Sequence, residues 1–380
     1  MKGWHRIAFL LFAIGWGTNH FVSLLLMYRD RLALGPSAPA LLLGIYALGL
    51  VPGLILSGPL SDRFGRRTIV LPGAAIALVA SFVLGAGGDS FHLLLAGRFI
   101  YGIGCGAVMN PGAVWVLEQS TDAFDGSGAR RATIALSAGF GFGPLISGVL
   151  AQYAPAPTIL PYAVIIVVLA TAIAICATAP GGRRPEGAKR GPLLRIGLDA
   201  TNRRAFLTGI APMAPFVFAF PAIAFAGLPV MLGSSALGGA PIAYLGLLAA
   251  ITLASGVLAQ PVTRRLVPAV AARLGLAIGG AGCALGALAV AWHVIPLLIA
   301  IAAILGTGYG ICMTAGLRRV ELTSRPETRG GLTGLYYVLT YAGFIAPWLL
   351  ALATRSLVTP PQALLVVAAL AGLAAIGLRG

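Results

Sequence analysis

Three groups of polar residues interrupt an otherwise apolar chain. The first is Trp16, Asn19, His20, Ser23 and Met27, recurring at spacings of three and four, which a helix would gather on one face. An indole, an amide, an imidazole and a hydroxyl side by side can hydrogen-bond a solute. His20 adds a group that can pass a proton near neutral pH, because imidazole titrates at about 6.5. The second is Arg98, followed by Gly102, Gly104 and Gly106. The third is the run Gly58-Pro-Leu-Ser-Asp62-Arg63-Phe-Gly65-Arg66-Arg67. Here Gly58 and Gly65 suit a tight turn. Asp62 is expected at a helix start, where it would suit the dipole and pair with a neighbouring Arg.

Other side chains extend this set of candidates. Asn110 and Trp115 follow the glycines, while Phe216, Phe220, Tyr336, Tyr337 and Tyr341 lie far along the chain. Tyr337 and Tyr341 share a helical face, and aromatic walls of this kind suit flat or cationic amphipaths. The ten acidic residues lie outside or at the ends of the apolar runs. Asp30 sits between Arg29 and Arg31, and Glu118 closes the run that begins near Arg98. Three proton-coupling arrangements stay open: a carboxylate at Asp30 or Glu118, an imidazole at His20, or no coupling at all.

The elements that must hold these groups follow from composition. Of 380 residues, 58% are apolar and 9% charged, against roughly 45–50% and about 25% in soluble domains. A soluble enzyme, a disordered chain and a fibrous protein are excluded. Each membrane-crossing helix needs about 20 apolar residues. Apolar runs predict twelve, at 7–28, 40–60, 68–87, 91–117, 132–153, 159–179, 205–229, 241–260, 269–291, 294–317, 332–354 and 361–378. The first run is read as a retained span, because no small-residue cleavage site ends it.

With the N-terminus in the cytoplasm, 22 of the 26 Lys and Arg residues fall in cytoplasmic segments. Three fall outside, and Arg98 lies within a span. That asymmetry predicts both termini inside, and it accounts for the net charge of +16 without a nucleic-acid partner. The four cysteines are far apart in apolar runs, with no metal-ligand spacing, so neither a disulfide framework nor a metal site is expected. No Gly-x4-Gly-Lys-Ser/Thr occurs, which argues against an ATP-driven pump. The four scattered His residues assemble no nucleophile or metal centre for a membrane enzyme.

The chain also repeats itself. Gly102-x-Gly104-x-Gly106 returns as Gly306-x-Gly308-x-Gly310, Gly143-Pro144 as Ala346-Pro347, and Pro59 with Asp62-Arg63 as Pro261 with Arg264-Arg265. The offsets are all close to two hundred residues. The division expected is a bundle at 1–179, a basic cytoplasmic linker at 180–204 and a second bundle at 205–380. Parallel six-helix repeats of this kind build transporters whose halves rock about a midplane site.

The run Gly58 to Arg67 resembles the signature loop of the major facilitator superfamily: Gly, x, Leu, Ala/Ser, Asp, Arg, x, Gly, Arg, Arg/Lys. Arg98 with its glycines resembles the family's second motif. Span five, with Gly139, Gly143, Pro144, Ser147 and Gly148, resembles its antiporter signature, Ser147 standing where the pattern has the first of two glycines. The resemblance covers the whole chain. It implies an all-α polytopic membrane protein, with twelve transmembrane helices in two six-helix pseudo-repeats. It further implies a gating latch in the loop, Arg98 in proton transfer or latch pairing, and a span-five kink associated with proton-driven efflux. The expected function is therefore secondary active export of a small organic molecule or drug in exchange for protons, by alternating access in the cytoplasmic membrane. The alternative is an uptake symporter or facilitator for a small metabolite. No cofactor is expected beyond an ion gradient; the partners expected are the substrate, protons and the lipid bilayer, and the chain is expected to be a monomer.

Overall fold

The computed structural model describes residues 3–35, 37–120, 127–181, 198–325 and 329–378. Most of the linker expected at 180–204 thus lies outside the described residues. Among them no strand occurs. In hydrocarbon every backbone N–H and C=O must be satisfied within its own segment, and long apolar helices meet that demand.

Among the described residues, twelve helices are long and apolar enough to cross a membrane. Spans one to six are Gly3–Arg31, Ala38–Phe64, Arg66–Ala86, Phe91–Glu118, Arg130–Tyr153 and Leu160–Ala177. Spans seven to twelve are Arg203–Leu232, Pro241–Thr263, Pro268–Trp292, Leu297–Thr323, Gly331–Ser356 and Pro360–Gly377. Several run a turn beyond the apolar stretches, because charged ends such as Arg29 and Arg31 remain helical.

The backbone contacts form two compact units. One comprises Met1–Leu24 with Ile45–Leu194, the other Leu25–Gly44 with Arg195–Gly380. The segment 25–44 is held in the second unit in part by Arg355, whose Nη2 donates to Ser37 Oγ at 3.2 Å.

The repeated glycines explain how the helices of each unit approach so closely. A Cβ on Gly102 or Gly106 would run into the carbonyls of Tyr46 and Leu50 on span two. One on Gly104 would lie 2.7 Å from the Gly73 carbonyl on span three. The second unit repeats the arrangement: Gly306 and Gly310 lie against Thr252 and Gly256 of span eight, and Gly308 against Gly275 of span nine. In both, one triplet seats two neighbours on opposite faces of a single helix.

The loop after span two corrects two expectations. Gly58 is inside the helix Ala38–Phe64 and makes no turn. The reversal is made by Gly65 alone, at φ 95°, between Phe64 and Arg66. That conformation strains any side chain with a Cβ. Asp62 lies in the last turn of span two, where the helix dipole is unfavourable to a carboxylate, so its partner must be a cation.

The units differ in the continuity of their helices. Spans one and five run unbroken as Gly3–Arg31 and Ser127–Tyr153, although Pro144 lies inside the latter. Span seven is divided: a short helix ends at Gly209, a second runs from Ala214 to Ala222, and Ile223–Gly227 forms a π turn. Pro221 and Pro229 bracket that turn, and each removes a backbone donor from the ladder. Span eleven breaks at the 3-10 turn Gly343–Ile345, just before Pro347. Outside the membrane segments, Asp199 caps the entry to span seven. The Thr201 hydroxyl, then the amides of Asn202 and Thr201, hold its carboxyl below the usual carboxylate range.

Candidate functional site

The first unit encloses a polar cluster built from spans one, two, four and six. Arg98 is 1% exposed, so it does not reach out to the headgroup region. Its Nη1 donates to the Thr18 carbonyl at 3.2 Å. The guanidinium lies over the rings of Tyr46 at 4.3 Å and Phe21 at 4.8 Å. Desolvated cation–π contacts of this kind contribute about 2 kcal/mol. Cys105 holds the cluster together from span four. Its Sγ accepts from the Tyr46 hydroxyl at 3.3 Å and lies 3.2 Å from Thr18 Oγ1. Tyr101 donates to the Ile14 carbonyl at 3.2 Å.

His20 is equally buried, with the Tyr162 ring edge-on at 4.8 Å. Ser23 donates back to the His20 carbonyl at 2.9 Å. Asn19 is also buried on span one, whereas Asn110 is exposed. Two buried ring nitrogens of this cluster, His20 Nδ1 and Trp16 Nε1, have no hydrogen-bond partner among the described residues. A buried polar atom left unsatisfied costs about 1–3 kcal/mol; Trp16 Nε1–H wants an acceptor, and His20 Nδ1 wants an acceptor or a donor according to its tautomer. Among the described residues no Asp or Glu is buried.

The span-five glycines lock this face of span one in place. A Cβ on Gly139 would meet the Phe12 carbonyl, and one on Gly143 the Trp16 carbonyl. Pro144, Ser147 and Gly148 are buried beside them. Ser147 donates to the Gly143 carbonyl at 2.6 Å.

A second centre lies in the loop after span two. Arg66 is 8% exposed. It contacts Asp62 through Nη1, donates to Ser61 Oγ at 2.8 Å, and reaches Glu118 Oε1 from Nε at 3.1 Å. Spans two, three and four are thus joined by one guanidinium. Glu118, a proton-coupling candidate, is placed on this latch. Asp30, the other acidic candidate, is exposed and pairs with its neighbour Arg29 at 2.8 Å, a surface pair contributing at most about 1 kcal/mol.

Arg63 is exposed beside the Phe64 ring. Arg67 Nη2 donates to the Ala177 carbonyl at 2.6 Å. Arg6 reaches the Thr178 carbonyl at 2.7 Å, and Trp115 Nε1 the Pro180 carbonyl at 3.0 Å. Trp115, a cavity candidate, therefore secures the exit of span six. Donors at the last carbonyls of a helix satisfy groups that the helix itself leaves open.

The second unit gathers aromatic rings instead. Phe218 stacks on Tyr341 at 4.5 Å and Phe344 at 4.9 Å, with Tyr309 tilted at 5.7 Å. Tyr337 extends the row at 6.5 Å from Tyr341. Phe216 lies 5.6 Å from Phe220, whose ring fills the space over Gly279. Phe218 and Tyr309 were absent from the sequence candidates. Phe218 lies two residues from both Phe216 and Phe220, on the opposite face of the helix. In the same unit a cavity of ≈ 200 Å³ opens beside the π turn, lined by Ala226, Gly227, Met231, Pro347 and Pro39. No cluster fit to hold a metal occurs among the described residues.

The family model described as Major Facilitator Superfamily matches residues 7–347. The chain belongs to the major facilitator superfamily. This places it with transporters and not with enzymes. The 4-hydroxybenzoate transporter PcaK of Pseudomonas aeruginosa is 40% identical over 93 residues, 24% of this chain and 19% of that protein. The multidrug resistance protein MdtL of Escherichia coli is 37% identical over 62 residues, 16% of each chain. The matched segments thus span less than a fifth of either relative. A crystal structure of a mutant nucleoside transporter NupG superposes with a TM-score of 0.76 at 14% identity, covering 99% of this chain and 98% of that one. At that identity the likeness is one of fold.

Proposed function

We propose that this protein is a secondary active transporter that exports a small organic molecule in exchange for protons, by alternating access. The observation that carries the reading is the buried cluster of Trp16, His20 and Arg98, in which two ring nitrogens lack partners inside a membrane-spanning bundle. Polar groups at such depth are expensive and mark substrate or proton paths. The span-five pattern, pressed against Trp16, and the likeness to a protein named for multidrug resistance support the outward vector. His20 is the proton carrier on this reading, since Asp30 is exposed and Glu118 is engaged by Arg66.

The proposal includes the cytoplasmic membrane, both termini inside, a monomer, and bundles at 1–179 and 205–380 joined by the linker 180–204. Everted vesicles energised by respiration test it with a quenched pH dye and a panel of cationic, neutral and anionic solutes. Protein-dependent dequenching is the expected result. Solute flux with no proton movement would refute the exchange.

A second reading is uptake by a symporter or facilitator. It is supported by the absence of a buried carboxylate among the described residues and by the likeness to a 4-hydroxybenzoate transporter. Accumulation in intact cells that ignores an imposed pH gradient would favour a facilitator.

A further inference from the structure

Trp16 and His20 stand one helical turn apart on span one, and each presents a buried ring nitrogen with no partner. Indole Nε1–H only donates, while imidazole Nδ1 donates in one tautomer and accepts in the other. The two residues, four apart, share one face of the helix. The backbone that carries them is held from behind: the Trp16 carbonyl is covered by Gly143, and Ser23 is bonded to the His20 carbonyl. Rigid, pre-placed donors are the ingredients of a recognition site.

The surroundings set the chemistry of what would fill it. Phe12 meets Trp16 edge-on at 5.7 Å, and Tyr162 meets His20 edge-on at 4.8 Å. These rings suit an apolar body. The positive charge of Arg98 lies in the same cluster, its Nη1 bonded to the Thr18 carbonyl between Trp16 and His20 in the chain. It favours an anion there and opposes an ammonium group. With no Asp or Glu buried among the described residues, a cationic headgroup has no counter-charge at this depth.

We propose that Trp16 and His20 form the donor end of a buried subsite for the carboxylate of an organic acid, with Arg98 supplying the positive charge. The proposal rests on the transport reading and names its substrate class. One carboxylate oxygen accepts from Trp16 Nε1–H and the other from His20 in its Nδ1–H tautomer, while the apolar body lies against the rings.

The test uses the full chain in lipid nanodiscs and measures binding by calorimetry. The probes are 3-phenylpropanoate, cyclohexanecarboxylate and octanoate, each beside its amide and its amine. At least one carboxylate should bind, its amide about tenfold more weakly, as expected for losing bonds to a charged group, and its amine not at all. Trp16→Phe keeps the ring and deletes the donor; His20→Leu deletes the imidazole. Each should weaken the carboxylate about tenfold and the amide, which keeps one accepting oxygen, by less, while leaving the melting temperature nearly unchanged. Three headgroups that bind alike, or none that bind, would overturn the subsite. Carboxylate binding untouched in both variants would also overturn it and assign the two nitrogens to ordered water. Counterflow in proteoliposomes separates the two readings. A carboxylate that binds with this pattern but does not exchange leaves the subsite standing and removes the transport reading. An amine that exchanges while carboxylates neither bind nor exchange does the reverse.

Discussion

The two units use the same scaffold and present different chemistry on it. Positions 105 and 309 occupy the same place between repeated glycines. In the first unit that place holds Cys105, bonded into a cluster with Thr18, Tyr46 and Arg98. In the second it holds Tyr309, tilted against Phe218 in a row of rings. The glycines on either side have the same task in both, admitting spans two and three or spans eight and nine. The repeat therefore keeps the backbone contacts, where any added atom collides, while the side chains between them differ.

The latch regions differ in the same way. After span two, Arg66 joins Asp62, Ser61 and Glu118. After span eight, Arg318 contacts the Thr263 carbonyl and donates to the Leu266 carbonyl at 3.2 Å. One junction is tied through ionised side chains and the other through main-chain oxygens.

Substituting the shared scaffold should do most damage and should do it equally in both units. Gly106→Val and Gly310→Val each drive a side chain into a neighbouring backbone. Neither variant is expected to yield monodisperse protein by size-exclusion chromatography. A folded Gly310→Val beside an unfolded Gly106→Val would break the equivalence. Next comes Arg66→Ala, which leaves Asp62 and Glu118 without their shared cation. Transport should fall by an order of magnitude or more, the usual scale for removing one partner of a part-buried charged network, with protein level retained. Arg318→Ala, losing only bonds to carbonyls, should cost several-fold at most; equal losses would erase the distinction between the junctions.

Exchanging the divergent position sharpens the contrast further. Cys105→Tyr overpacks a fully buried site, where extra volume costs about 1–3 kcal/mol, and should lower the melting temperature. Tyr309→Phe keeps the ring contacts and should change it little. The smallest effect is expected from Arg63→Ala, because Arg63 is exposed beside Phe64; transport within twofold of the parent separates it from Arg66 in the same motif.

Much of the framework is legible in the string because membrane burial imposes strict demands on it. Twenty apolar residues make a span, and glycines at every second position mark close neighbours. The charged loop was found for the same reason. What escaped notice depends on register or on distant partners. Asp62 was expected at a helix start, but the helix of span two continues to Phe64 before Gly65 ends it. Glu118 is a proton-carrier candidate by sequence, and its engagement by Arg66 requires knowing that span three begins beside the end of span four. The place of Phe218 is not legible in span seven alone, because the rings that receive it come from spans ten and eleven. The open nitrogens of Trp16 and His20 are likewise invisible in one dimension, since a missing bond is a property of everything around it.

Gly65 carries a mechanical consequence. A single residue at φ 95° reverses the chain between two long helices, so this junction has no slack. Spans two and three are coupled like the arms of an elbow. A rotation of either arm is passed to the other without a flexible loop to absorb it, and the Arg66 contacts sit at the pivot. A peptide tag inserted at this joint would find no loop to occupy and would have to uncouple the arms.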